Sequence, residues 1–318
     1  MNDQAENLRR AIDGLKKMRM PDLGMAAAAA EAAPVAGRMP RAGPARVFTV
    51  TSGKGGVGKT NVSANLAIAL SQMGYKVAII DADFGLANVE VLFGAMPKFK
   101  LADAMRSERT IAEIICDGPS GVKFISGGTG VEELVRLDPE QVASLLTGLS
   151  DVDMEFDVVI IDTGAGLSDT VLSMSLAADE VILIATPEPT SVTDAYALIK
   201  MLSARDRGKT IRLIVNRAET PAEAEEVTAK LAKVAARFLE LDLRRLGYIL
   251  NDPLVVRSVK QQTPFLIGYP KSRASTCTRD IAARLMAGVS PEPDGGGRGL
   301  AGFFSRASKL LNMQYKAL

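Results

Sequence analysis

The sequence predicts an α/β fold: a doubly wound, mostly parallel sheet with helices on both faces. Three observations point there. Short apolar, β-branched runs alternate with stretches of helical spacing from residue 46 to about residue 288. Two of those runs end in aspartate, at the strand ends where an open parallel sheet delivers its functional groups. The first run leads straight into a glycine-rich loop of the phosphate-binding pattern G-x-x-x-x-G-K-T.

Residues 1–20 read as a short charged helix, with Leu8, Ile12 and Leu15 at helical spacing. Residues 21–45 are rich in alanine, proline and glycine and read as a flexible linker. The folded domain is expected over 46–288. It opens with Arg46-Val47-Phe48-Thr49-Val50-Thr51, β-branched and apolar like a buried strand. The glycine loop follows, and then Val62, Leu66, Ala69 and Leu70 repeat with a helical period. Further strands are expected at Lys76 to Ile80, Val122 to Ile125, Asp157 to Ile161, Glu180 to Ala185, Ile211 to Val215 and Leu246 to Ile249. Residues 289–299, with Pro291, Pro293 and Gly295 to Gly297, read as a second linker, and residues 300–318 as a terminal amphipathic helix.

The loop runs Ser52-Gly53-Lys54-Gly55-Gly56-Val57-Gly58-Lys59-Thr60. Gly53, Gly55, Gly56 and Gly58 permit backbone angles that side chains forbid, so the N–H groups around Val57 can turn inward on phosphate oxygens. The following helix, starting near Asn61, presents its positive end to the same anion. Lys59 is expected to reach the β- and γ-phosphates, and the Thr60 hydroxyl to ligate Mg²⁺. A second lysine, Lys54, stands directly after the first glycine and points to a site completed by two subunits. Asp162, ending Val158-Val159-Ile160-Ile161, is placed to help hold Mg²⁺. Asp81 and Asp83 end another strand two residues apart, on one side of an extended segment. One suits the metal and the other the attacking water. A lone aspartate at a strand end is usually a turn residue; three beside a phosphate loop are not. Gly164 and Gly166, and the stretch Asp81 to Asn88, are candidate switch segments that rearrange when a phosphate leaves.

Composition excludes several chemistries. The 318 residues suffice for one large or two small domains, and 47% apolar content suffices for a core. There is no histidine, so no imidazole base or imidazole metal site exists in this chain. The two cysteines, Cys116 and Cys277, are far apart and form no C-x-x-C, which fits a reducing cytosol. A net charge of +1 gives no general pull towards nucleic acid or acidic lipid. No apolar run approaches the roughly 20 residues of a membrane span, and the polar N-terminus is not a signal peptide.

Lys54-Gly55-Gly56-Val57-Gly58-Lys59-Thr60 resembles the loop of the MinD/ParA family of P-loop ATPases. The resemblance implies ATP and Mg²⁺ as ligands and a homodimer in the ATP-bound state. It makes Lys54 the lysine that crosses the interface to the partner's ATP. It places Asp83 on the hydrolytic water, Asp81 and Asp162 around Mg²⁺, and Asn216, in Val215-Asn216-Arg217, on adenine. Within the family, Thr60-Asn61, Asp81 to Asn88, Asp162-Thr163-Gly164-Ala165-Gly166 and Pro187-Glu188-Pro189-Thr190-Ser191 resemble the subgroup that regulates flagellar number. Asp3-Gln4-Ala5-Glu6-Asn7-Leu8-Arg9 resembles that subgroup's activator of the flagellar GTPase FlhF, with Gln4 to Arg9 as the binding helix. A flagellar switch (C-ring) component or a flagellar transcription regulator is the further partner implied. The implied place is the cytoplasm, reversibly at the inner face of the cell membrane and at a pole. The alanine-rich linker matches no part of the family pattern.

At the C-terminal end Leu300, Phe303, Phe304, Ala307, Leu310 and Leu311 fall on one helical face, with Arg306, Lys309 and Lys316 off its centre. This suits residues 300–314 to a membrane surface, the alternative being a helix docked on the domain's own core. Arg205, Arg207, Lys209 and Arg212 are read as a solvated face, interrupted by Asp206, and no sequence-specific DNA binding is expected. Competing functions on the same fold are ParA-like partition of DNA or cargo, MinD-like placement of the division site, an iron–sulfur carrier and a carboxylate-activating synthetase. Lone cysteines speak against the carrier, and the N-terminal extension speaks against MinD.

Overall fold

The computed structural model describes residues 44–83, 88–128, 139–287, 297 and 299–315. The helix expected over 1–20, the linker over 21–45 except its last two residues, Phe84 to Ala87 of one switch candidate and most of the linker over 289–299 lie outside the described residues. In chain order the elements are β1 (Arg46–Ser52), α1 (Lys59–Gln72), β2 (Val77–Ala82), α2 (Val89–Phe93), α3 (Leu101–Met105), α4 (Ile111–Ile114), β3 (Cys116–Asp117) and β4 (Lys123–Ile125). Then come α5 (Pro139–Asp153), β5 (Val158–Ala165), α6 (Asp169–Ala177), β6 (Glu180–Ala185), α7 (Pro189–Arg205), β7 (Ile211–Ala218), α8 (Pro221–Leu239) and β8 (Arg244–Leu250). The chain closes with α9 (Pro253–Lys260), α10 (Phe265–Gly268), α11 (Arg273–Ala287) and α12 (Gly299–Tyr315).

The eight strands form one sheet in the order β3-β4-β2-β5-β1-β6-β7-β8. Every pairing is parallel except that of β3 with β4. All the expected strands are present; the two-residue β3 is too short to show a periodicity. β1 sits centrally, between β5 and β6, where the winding direction reverses. That is where an open sheet leaves a crevice at its strand C-termini.

Strand residues alternate between two faces, both buried, as a parallel sheet requires. Val158 and Ile160 pack with α1 and α11, whereas Val159 and Ile161 pack with α3 to α6. A third cluster gathers β6 and β7 under α7 and α8. The central strands read as unbroken apolar runs for this reason.

The terminal helix differs from the tethered, lipid-facing element expected of residues 300–318. In the structure the apolar face of α12 is part of the domain's own core. Leu300, Phe303, Phe304, Ala307 and Leu311 are buried with Leu149, Val152 and Met174 in a groove between α5 and α6. The rings of Phe303 and Phe304 meet edge to face at 5.2 Å. Each large apolar side chain buried this way stabilises docking by about 1.5–3 kcal/mol before ordering entropy is counted.

The solvated basic face is also corrected in part. Arg205 pairs with Asp169 and Arg207 with Glu240 at the surface. Arg212 is buried against Glu180. Lys209 donates to the carbonyls of Leu176 and Ala178, at the C-terminal end of α6, where a cation complements the helix dipole.

Candidate functional site

The phosphate loop bridges the C-terminus of β1 and the N-terminus of α1. No acidic residue occupies the first turn of that helix, so its positive end is free for an anion. Gly58 caps it at φ +93°, a left-handed conformation, and a Cβ there would come within 2.6 Å of Asn216 Nδ2. Gly53 abuts the backbone of Asp194 in α7. Gly55, Gly56, Gly58, Lys59, Thr60 and Asp83 line a cavity of about 420 Å³. Asn61 lines it too, and lines the adjoining cavity beyond it. Val57 is buried beneath the loop and turns its carbonyl towards β7.

The carboxylates expected at the site converge on it but differ in state. Asp81 and Asp162 face each other in register on neighbouring strands β2 and β5. Asp162 is fully buried; its Oδ1 accepts from the Ser63 hydroxyl at 2.8 Å, and Oδ2 is a buried oxygen without a hydrogen-bond partner among the described residues. The Thr60 hydroxyl lies against the same carboxylate. An orphaned anionic oxygen beside a hydroxyl is the donor set a hard divalent cation takes, so Thr60 and Asp162 fit Mg²⁺. Burial, reinforced by the neighbouring charge of Asp81, pushes the Asp162 carboxyl up to about 7.

Asp81 has a different task in this conformation. Its Oδ1 accepts from the Asp83 N–H, and its Oδ2 from those of Asn88 and Val89, at 2.8 to 3.1 Å. It fastens Asp83 on one side of the candidate switch segment, and Asn88 and Val89 on the other, to the sheet. Burial raises its pKa against these three hydrogen bonds. Asp83 projects into the cavity, with Gly164 of the other switch segment so close that a Cβ there would lie 3.5 Å from Oδ1. The Lys59 ammonium is buried, which lowers its pKa, while Asp162 and Asp83 supply opposing charge.

Lys54 lies outside this group. Its Nζ donates to Glu188 Oε2 at 2.9 Å and to Thr190 Oγ1 at 2.8 Å, at the start of α7. Both charged side chains are substantially solvent-exposed. The hydrogen bond and charge of Lys54 hold the Glu188 carboxyl below its usual value. In the sequence Glu188 and Thr190 stand out only as part of a family likeness. The available signal was Pro189, a first-turn residue that places Glu188 at a helix N-cap.

Asn216 stands at the end of β7 and donates from Nδ2 to the Val57 carbonyl at 2.7 Å. It therefore braces the loop while lining the second cavity, of about 540 Å³, with Ile249, Val255, Val256, Val259 and Phe265. That pocket is apolar with a few polar groups, as a flat heterocycle requires. Arg217, which no sequence motif singles out, lines both cavities. Its backbone is left-handed at φ +59°, at a register shift in β7. Such strain in a non-glycine residue is common at functional positions and has no sequence signal.

Comparison with known proteins agrees with this geometry. A family model described as "ParA: NUBPL iron-transfer P-loop NTPase" matches residues 44–286. The chain is 44% identical over 243 residues to the antiactivator FleN of Pseudomonas aeruginosa, across 76% of this chain and 86% of that one. It is 35% identical over 274 residues to the flagellum site-determining protein YlxH of Helicobacter pylori, across 85% and 92%. The structure of the septum site-determining protein MinD of Pyrococcus horikoshii, complexed with Mg-ADP, aligns with a TM-score of 0.62 at 26% identity, over 77% of this chain and 98% of that one.

Proposed function

The chain belongs to the ParA/MinD family of P-loop ATPases, and from that premise we propose that it is an ATP-dependent dimerisation switch controlling flagellar number or placement. The observation that carries the switch is the position of Lys54. Its ammonium is turned away from its own phosphate cavity and held at the surface by Glu188 and Thr190. A lysine there is placed to leave that pair for the nucleotide of a second copy. The likeness to FleN and YlxH supports the flagellar output.

In this reading the loop amides and Lys59 hold the triphosphate. Thr60 and Asp162 would hold Mg²⁺, which would supply positive charge to the phosphate oxygens. Asp83, beside Gly164, orients the attacking water. Catalysis then rests on positioning and charge stabilisation, which a chain without histidine can supply. Asn216 and the apolar cavity beside it take the base. Loss of the γ-phosphate lets the segments around Asp83 and Gly164 rearrange and the dimer part.

The tail couples this cycle to location. Among the described residues no helix is long and apolar enough to cross a membrane. Released from its groove, α12 offers a face of leucine and phenylalanine to lipid, and a dimer offers two such faces, which bind together far more tightly than one. The segment Gln4 to Arg9 is the proposed contact for an FlhF-type GTPase, and a switch component or transcription regulator the proposed further partner.

The test is sedimentation with Mg-ATP, followed by flotation with anionic liposomes. The wild-type chain is expected to dimerise with ATP and to float; Lys54→Ala is expected to bind ATP, stay monomeric and remain with the soluble fraction. A Lys54→Ala chain that dimerises and turns over like wild type would sink the proposal.

A further inference from the structure

Two aspartates hold the tail, and the same two hold the beginning of β1. Asp153, the last residue of α5, accepts from the backbone N–H of Leu300 at 2.8 Å, in the first turn of α12. The N–H of Ala45, one residue before β1, donates to the same carboxylate. Asp179, between α6 and β6, accepts from the N–H of Val47 at 2.8 Å. Its other oxygen lies 3.4 Å from the Arg306 guanidinium on α12. Arg306 donates further, from Nε to the Ala177 carbonyl at 2.8 Å and from Nη1 to that of Gly297 at 2.6 Å.

The start of α12 is shaped for these contacts. Gly299 has φ +77°, and a Cβ on it would fall 1.8 Å from Asp153 Oδ2. A Cβ on Gly302 would fall 1.7 Å from the Gly297 carbonyl oxygen. Only glycine lets a carboxylate and a carbonyl come so near. Buried charges impose a desolvation cost, and their best-attested use is to specify one arrangement over another. Burial raises the Asp153 and Asp179 carboxyl groups and lowers Arg306.

The topology gives the arrangement a direction. β1 ends in the phosphate loop, and Ala45 is the junction through which the N-terminal extension joins the domain. We propose that Asp153 and Asp179 form a double clasp which couples the tail helix to the start of β1, so that displacing the chain before residue 46 loosens α12, and undocking α12 loosens the N-terminal junction. The clasp rests on the reading of α12 as an element that leaves its groove in the working cycle, and it adds what controls that departure. A partner seated on the N-terminal extension then acts on the tail through one shared pair of carboxylates.

Hydrogen exchange on the full-length protein tests the clasp without a membrane. Gly299→Ala changes a tail residue whose added Cβ falls on the Asp153 carboxylate, so it opens the clasp from the tail side. It is expected to speed exchange at least about tenfold in 299–311 and also in 45–48, the change carried by losing a hydrogen bond to a charged group. Asp153→Ala and Asp179→Ala are expected to do the same, and amides of β6 and β7 to keep wild-type protection. The clasp is overturned if Gly299→Ala frees 299–311 and leaves 45–48 protected, or if the aspartate variants loosen one segment only. Flotation of Gly299→Ala without ATP separates the two readings. Coupled exchange without flotation keeps the clasp and removes lipid as the tail's destination; flotation without coupled exchange does the reverse.

Discussion

Asp162 is the residue whose environment does most to set the site's chemistry. Its carboxyl ordinarily titrates at 3.8 and here stands at about 7, because burial disfavours the anion and Asp81 adds like charge. A raised value in an acid means that the folded state retains a proton which the unfolded chain has lost. Across the window from about 4 to about 7 this group therefore makes the nucleotide-free protein less stable as pH rises. Metal binding needs the anion and works in the opposite sense. Melting temperatures of the nucleotide-free protein are thus expected to fall from pH 5 to pH 7.5, and the fall to be smaller in Asp162→Asn. Identical pH profiles for the two chains would show that the carboxyl is already ionised throughout. Asp162 itself was legible from a strand that ends in aspartate. Its orphaned oxygen was not, because that depends on Ser63, a helix away. Pro189 marks Glu188 as a helix N-cap but not its contact with Lys54, and neither Thr190 nor the left-handed angle of Arg217 has a local pattern at all.

Elements were read well where a period or a motif decides them. The strand, glycine loop and helix around residues 46–72 follow from β-branching, glycine spacing and the helical repeat, and all three are present. The tail shows the limit of such reading. An apolar stripe on a helix looks the same whether it faces lipid or a protein groove, and the glycines that fit it to Asp153 look like linker glycines. The docked tail makes its own prediction. Phe303 is fully buried, and a phenylalanine cut to alanine in a core costs about 3–5 kcal/mol. Here the helix can leave, so the loss is expected to appear as undocking rather than collapse. Phe303→Ala should gain protease cleavage within α12 while its main thermal transition shifts by only a few degrees. Loss of the whole transition would make α12 an obligate part of the domain.

Over the whole molecule, topology places the loop at the centre of the sheet, with both carboxylate-bearing strands, β2 and β5, on one side and β6 and β7 on the other. The sequence of alternating elements implied this crevice; it could not say where the cations would end up. Arg205, Arg207 and Arg212 are spent in ion pairs, and Lys209 on backbone carbonyls. With a net charge of +1, no wide basic surface is left by that cluster. Mixed with random duplex DNA at about 50 mM salt, the ATP-bound protein is expected to show no retardation, since non-specific binding depends on phosphate neutralisation. Salt-sensitive retardation would move the assignment towards partition.

β1 is seven residues long, paired on both edges and buried throughout. At about 3.3 Å per residue it spans roughly 23 Å. It runs like a rod from the residues that anchor the tail to the phosphate loop. A rod gripped by stiff neighbours cannot bend to absorb a small displacement at one end. Its far end is the place where the Asp153 and Asp179 carboxylates take the Ala45 and Val47 amides, so phosphate loop and tail anchor share one strand.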